Sequence, residues 1–262
     1  MSNGALSVAR TGLDAQNMRM QVIANNLANV NTVGFKRDRA SFETLAYQSV
    51  VTPGASSSGE NKYAIGLNLG TGVQMTGTAR IETQGTMITT GNTLDMAIEG
   101  AGYFQISMPD GRTGYTRAGD FTLSAEGTIV TPDGMPLEPQ IQIPDGATGV
   151  TIGADGTVSA QVAGQSDATE LGKIEVARFI NPGGLQSIGN NLLVETSASG
   201  APQVGAPGAE GRGNLRSGSL EGSNVNVVEE MVDMIETQRA YEVNSKMIQS
   251  TEEMMRNATQ NL

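Results

Sequence analysis

Carboxylates are the one class of chemically active side chain that this sequence holds in quantity. Asp and Glu number 27 against 16 Lys and Arg, the formal net charge is −11, and there is no His or Cys. Asp95, Glu99, Asp110, Asp120 and Asp133 raise the possibility of a paired-carboxylate hydrolase of the glycosidase kind. Each sits in or beside a turn signature, so turn formation is the competing role. Sugar sites also use aromatic platforms, and Tyr103, Phe104, Tyr115 and Phe121 are few and fall in strand-like runs. Without His or Cys there is no Ser-His-Asp or Cys-His arrangement, and the commonest transition-metal ligand is absent. No Asp-x-Asp-x-Asp-Gly calcium loop occurs. The glycines of GLNLGTGVQMTG, Gly66 to Gly77, hint at a phosphate loop. No Gly-Lys-Ser/Thr follows them, and no dinucleotide fingerprint opens a helix there. No catalytic, cofactor-binding or metal-binding residue is assigned, and no cofactor is expected.

Charge and hydropathy narrow the classes further. A net charge of −11 argues against nucleic-acid binding, which needs a basic footprint. No segment approaches the roughly 20 apolar residues of a membrane span, so no membrane insertion is expected. Arg10, Asp14 and Arg19 interrupt any apolar core of a secretory signal, so the expectation is a cytoplasmic protein, or export by a route without a cleaved signal peptide.

With no catalytic centre in view, the elements become the informative feature. At the front, Leu6, Ala9, Leu13, Gln16, Met20, Ile23, Leu27 and Val30 step alternately by three and four. At the back, Val227, Met234, Tyr241, Ile248, Met255 and Leu262 recur every seven residues, with Met231, Met247 and Met254 widening the stripe. Such spacing predicts one apolar stripe along each of two helices. The first is expected over about Ser2 to Asn31, with Gly34 as a left-handed stop. The second is expected from Asn224 to Leu262, with Asn226 and Glu229 resembling a capping box. Glycine is absent after Gly222 and proline is confined to Pro53–Pro207, so both ends lack helix breakers. The polar face of the first helix is Gln16, Asn17, Gln21, Asn25, Asn26 and Asn29, either an ordinary solvated face or one that touches other protein.

Between the helices the chain reads as β structure. Val50 to Asn61, VVTPGASSSGEN, is a Pro/Gly/Ser stretch that reads as a flexible or extended loop within the region 35–77. From 78 to 218, short runs such as YFQIS (Tyr103–Ser107), TVSAQV (Thr157–Val162) and KIEVARFI (Lys173–Ile180) are parted by Pro-Asp-Gly at Pro109, Pro132 and Pro144. That is the pattern of an all-β domain. The fold class expected is α+β: paired, coiled-coil-like N- and C-terminal helices, a central all-β domain and an extended loop or hairpin.

Leu13-Asp14-Ala15-Gln16, then Ile23-Ala24-Asn25-Asn26-Leu27-Ala28-Asn29-Val30-Asn31-Thr32 and Gly34-Phe35-Lys36, resemble the N-terminal signature of bacterial flagellar rod and hook proteins. Ser223-Asn224-Val225-Asn226-Val227 through Gln238-Arg239-Ala240-Tyr241-Glu242 and Asn244-Ser245-Lys246 are similar to the matching C-terminal signature. Asp95-Met96-Ala97-Ile98, Gly102-Tyr103-Phe104 and Tyr115-Thr116-Arg117 resemble its middle block. The resemblance spans essentially the whole chain. The length, and the segment from Val50 to Gly77, look most like the distal rod subunit, with proximal rod or hook-type subunits as the near alternative and a secreted β-rich binding module or hydrolase as the remote one.

The resemblance implies a structural subunit, not an enzyme, that polymerises into a hollow shaft. It implies an inner tube domain of 1–34 paired with 224–262, a linker region 35–77, an outer β domain 78–218 and a return linker 219–223. Subunit contacts would run through Leu6, Leu13, Met20, Ile23, Leu27, Val30, Val227, Met231, Met234, Tyr241, Ile248, Met255 and Leu262. Val50, Pro53, Tyr63, Leu67 and Gly70 would mark the segment that makes the tube rigid. The implied partners are further copies of the chain, proximal rod and hook proteins, the surrounding P and L ring proteins and the type III export machinery. The implied place is the flagellar basal body across the periplasm.

Overall fold

The computed structural model describes residues 2–54, 56–58, 61–62, 64–144, 146–162 and 168–260. The architecture is α+β: a long N-terminal helix, a centre made mostly of strands, and a long C-terminal helix. The chain divides into two compact units. One comprises Met1–Leu27, Asp38–Ala79 and Asn226–Leu262, and the other Ala28–Arg37 and Arg80–Val225.

In the first unit, helix α1 spans Ser2–Ala28 and helix α2 spans Val227–Gln260. Their 27 and 34 residues correspond to about 40 and 50 Å of helix. Asn226 caps α2, its Oδ1 accepting the Val228 N–H at 3.1 Å, while its carbonyl accepts the Glu230 N–H at 3.0 Å. Glu229 and Glu230 occupy the first turn, where the helix dipole favours anions. The first helix stops at Ala28, short of Asn31, because Asn29–Thr32 turns back on itself through Thr32 N–H to Asn29 O at 3.2 Å. Between the helices, Asp38–Thr44 pairs with Val73–Arg80, Gln48–Val51 runs antiparallel to Leu67–Leu69, and Ser56–Ser58 pairs with Asn61–Lys62.

The second unit is built around Tyr103–Ser107. On one side it pairs with Thr113–Thr116, in the register Thr113↔Ser107 to Thr116↔Phe104. On the other it pairs with Val176–Arg178, and Leu137–Glu138 also joins it. Leu192–Val194 and Gln186–Gly189 extend one edge and Gln203–Gly205 the other. A separate three-stranded sheet holds Ala147–Ile152, Thr157–Val162 and Thr169–Lys173. Strand alternation sorts the side chains. Phe104 and Ile106 enter the main core with Met96, Ile98, Phe121, Leu137, Val158 and Val176. Tyr103 goes to a second cluster with Tyr115, Phe179 and Leu193. Phe104 meets Phe121 edge to face at 5.1 Å, and Tyr115 meets Phe179 at 4.8 Å. The Pro-Asp-Gly signals at Pro109 and Pro132 do form turns: Gly111 N–H reaches Met108 O and Gly134 N–H reaches Thr131 O, with φ of 79° and 82° at the glycines. The run Lys173–Ile180 is not one strand but two, Thr169–Lys173 and Val176–Arg178, with Ile174 turned into the core between them.

The same unit buries a carboxylate. Glu221 is 0% exposed. Its Oε1 accepts from Lys36 Nζ at 2.5 Å and from the Gly85 N–H at 2.9 Å, and its Oε2 accepts from Arg117 Nη1 at 2.9 Å. Burial alone would raise this carboxyl, but the Arg117 charge and the Lys36 and Gly85 hydrogen bonds hold it below the usual range. Burial lowers the Lys36 ammonium despite its bond to Glu221. Arg117 also donates to Gly100 O at 2.6 Å and lies over the Tyr103 ring at 5.5 Å.

Candidate assembly interface

Within the first unit α1 and α2 meet antiparallel. Asn26 Nδ2 donates to Glu230 Oε2 at 3.2 Å, Arg19 pairs with Asp233 at 3.3 Å, and Gly12 lies against the Asn244 amide. Ala9, Ala15, Ile23 and Asn26 are buried on α1, and Glu230 and Thr237 on α2. Leu6, Leu13, Met20, Leu27 and Val30 are half-buried.

The seven-residue stripe on α2 does not keep to one environment. Val227, Met231 and Tyr241 are exposed, whereas Met234, Ile248 and Met255 are half-buried. A strict heptad repeat drifts by about 20° per seven residues on a straight helix, but drift alone does not order these exposures, because Tyr241 is exposed between the half-buried Met234 and Ile248. Leu262 and Tyr63 lie outside the described residues.

A different set of apolar side chains faces away. Val228, Val232, Ile235 and Val243 lie, at 3.6 residues per turn, on the side opposite Glu230, Thr237 and Ile248, with Met247 and Met254 on its flank. All six are exposed, Val228 at 71%. The four aliphatic residues among them are not members of the stripe that runs from Val227 to Met255, although Val228 and Ile235 are themselves seven apart. The signal that reveals them is a count at helical period on the face left over once the first stripe is taken.

The connection inside 35–77 is extended too. Val50, Leu67, Pro53 and Gly70 are exposed along it, and so are Tyr47, Leu69 and Ile65, the last at 84%. Paired strands with so many exposed apolar side chains bury little of their own surface.

Of the carboxylates considered for catalysis, Asp95 and Asp110 are held by neighbouring side chains. Asp95 accepts from Thr90 Oγ1 at 2.5 Å and Asn92 Nδ2 at 2.9 Å, and Asp110 is paired with Arg112 at 2.6 Å. Burial, and then the charges of Asp95 and Asp133, raise the Asp120 carboxyl. Among the described residues no group of three or more His, Cys, Asp or Glu could hold a metal ion, and no helix is long and apolar enough to cross a membrane.

Comparison with known proteins agrees with this picture of surfaces rather than pockets. Residues 6–36 match the family described as flagella basal body rod protein. Residues 97–160 match the flagellar hook protein FlgE/F/G D1 domain, and 216–261 the flagellar basal body rod FlgEFG protein C-terminal region. The chain is 48% identical over 256 residues to the flagellar basal-body rod protein FlgG of Buchnera aphidicola from Acyrthosiphon pisum, covering 98% of each chain. To FlgG of Agrobacterium fabrum it is 46% identical, covering 98% of this chain and 99% of the other. To the rod protein FlgF of Caulobacter vibrioides identity falls to 34%, over 93% and 91%. With its end helices, β centre and likeness along the full length of these proteins, the chain belongs to the flagellar basal-body rod protein family, a family of structural rather than catalytic subunits, and is similar above all to its FlgG members.

Proposed function

We propose that this protein is the distal-rod subunit of the flagellar basal body. Copies polymerise into a hollow, stiff shaft that carries torque from motor to hook and encloses the export channel. The α1–α2 pair lines the shaft and the β unit faces outward. Other axial proteins, proximal rod and hook, continue the assembly at its two ends. The P and L ring proteins surround it, and the type III export machinery delivers the subunits.

The observation that carries this reading is the outward apolar side of α2. A helix already packed on one side, with Val228, Val232, Ile235, Val243, Met247 and Met254 exposed on the other, has a second face to cover. Covering it with neighbouring copies removes apolar area at roughly 25 cal/mol per Å², repeated at every subunit. Transmission of torque requires a stiff contact and no reaction, in keeping with a chain without His or Cys. Sedimentation over a range of concentrations, with electron microscopy of the pellet, tests the proposal. Tubes above a critical concentration are expected. A chain that stays monomeric throughout, with or without rod and hook proteins present, overturns it.

A further inference from the structure

The chain passes between the two units at four points, Leu27–Ala28, Arg37–Asp38, Ala79–Arg80 and Val225–Asn226, and three stretches of the β unit lie beside the last three of them: 34–37, 81–85 and 221–224. None of the three is a paired strand over most of its length. Side chains take the place of the missing ladder. Glu221 accepts from Lys36 and from the Gly85 N–H, joining all three stretches at one carboxylate, and Arg117 holds its second oxygen. Lys36 Nζ also donates to Thr83 O at 2.8 Å. The Asn224 side chain accepts the Arg37 N–H at 2.8 Å and donates to Ile81 O at 2.8 Å. Main-chain bonds complete the set: Gly34 N–H to Glu221 O at 2.7 Å and Ile81 N–H to Arg37 O at 2.9 Å.

A buried ion network is a weak source of net stability, because desolvating the charges offsets most of their attraction, and well-packed apolar side chains of similar size stabilise as much. What charge-assisted hydrogen bonds supply, and methyl groups do not, is direction. We infer that Lys36, Glu221 and Arg117 form a positioning clamp, fixing the register of the three backbone stretches that leave the β unit rather than adding to its stability. Its use in torque transmission rests on the rod assignment. A shaft whose subunits turn as rigid bodies needs these stretches to move together, and the few main-chain bonds between them leave much of their register to the side chains.

The test uses the full chain and two variants. In Lys36→Met/Arg117→Met/Glu221→Leu the charges are replaced by apolar groups of similar length. The expected result is a Tm lowered only by as much as the unpaired Gly85 N–H and Gly100 O cost, with amide hydrogen exchange at Gly34, Arg37, Ile81 and Gly85 faster by about tenfold or more, and exchange at Phe104 and Ile106 in the core changed by much less. In Glu221→Gln the same four amides exchange faster, and by a larger factor than Phe104 and Ile106 in the core. Exchange at the four amides unchanged in the triple variant overturns the clamp, and so does a triple variant that fails to fold or accelerates uniformly, since each makes the triad a stability element alone. Tubes of the triple variant, imaged beside wild type, are expected to bend more. Wild-type protein that forms no tubes defeats the rod assignment and leaves the exchange result to decide the clamp by itself.

Discussion

The side-chain amide of Asn26 holds the peptide of Asp38 by both edges: Nδ2 donates to Asp38 O at 2.9 Å, and Oδ1 accepts the Asp38 N–H at 3.0 Å. The end of α1 is thereby joined to the start of the strand Asp38–Thr44, and the remaining Nδ2 proton reaches Glu230 on α2. Asn26 is buried, so each lost bond is felt. Asn26→Leu keeps the volume and removes every one of them. A loss of about 2–4 kcal/mol is expected, since a buried backbone group deprived of its partner costs about 1–3 kcal/mol. Urea unfolding followed by far-UV circular dichroism measures it. A loss below about 0.5 kcal/mol would show that the amide bridge does not organise this corner.

Gly34 gives a second, sharper comparison. Its φ is 69°, and a Cβ there would lie 2.6 Å from the backbone of both Arg117 and Ala118. Gly54 has φ of 85° with nothing within 4 Å of the same point. Gly54→Ala then carries only the left-handed strain, about 1 kcal/mol. Gly34→Ala carries that strain and a clash with backbone that cannot step aside, and is expected to cost at least twice as much. Thermal unfolding of the pair decides it; equal shifts in Tm would mean that the close approach relaxes without penalty.

What could be read ahead of the structure followed how local its causes are. The two helices were legible because Pro is missing from both ends, Gly is scarce at the first and absent from the second, and apolar residues recur at helical spacing. Tyr103–Ser107 and Thr157–Val162 were legible as strands because β-branched or aromatic residues lie between turn signatures. Asp38–Thr44 and Val73–Arg80 were not, since DRASFET and VQMTGTAR hold little apolar alternation and are strands by virtue of each other. Asn26 read as one amide on a polar face, but its partner Asp38 lies past the end of the helix, 12 residues on, and Glu230 is set by the chain's return 204 residues later. Lys36, Arg117 and Glu221 were invisible as a group for the same reason, their pairings spanning 185 and 104 residues.

Acid should reach the β unit through Glu221. Its folded pKa lies below the ordinary carboxylate value, so the folded state binds the proton more weakly than the unfolded chain. The resulting stability is present in full above the unfolded value and disappears as pH falls through the folded one. Lys36 works at the other end of the scale: its lowered pKa makes the folded state shed a proton early, so stability rises with pH as the ammonium is lost. The gap in urea midpoint between wild type and Glu221→Gln is therefore expected to narrow steadily below about pH 5. A gap that stays constant down to strongly acidic pH would show that the carboxylate is not ionised in the native protein.

The extended connection offers a test of stiffness. Ile65 is 84% exposed and Leu67 is exposed beside it, so the double change Ile65→Ser/Leu67→Ser removes little that the monomer uses. Monomer Tm should stay within the small range typical of surface substitutions. If neighbouring copies cover these residues in the shaft, tubes of the variant, or of a chain lacking 50–77, should curve where wild-type tubes run straight. Straight tubes from both variants would remove the rigidity role from this segment.

The two sides of α2 can be told apart by one substitution on each. Ile235 is exposed on the outward side, and Ile248 is half-buried on the side turned to α1. An aspartate at 235 sits in water in the monomer and costs little there. An aspartate at 248 must be desolvated or must open the helix pair, and a charge without a partner in such a place is expensive. Ile235→Asp is therefore expected to keep the helix content and Tm of wild type and yet abolish sedimentation into tubes, because burial against a neighbour would now desolvate a carboxylate at every subunit. Ile248→Asp is expected to lower monomer helix content first and to lose assembly as a consequence. Circular dichroism and sedimentation on the same samples separate the two. If Ile235→Asp assembles like wild type, the outward side of α2 is not where copies of this chain meet.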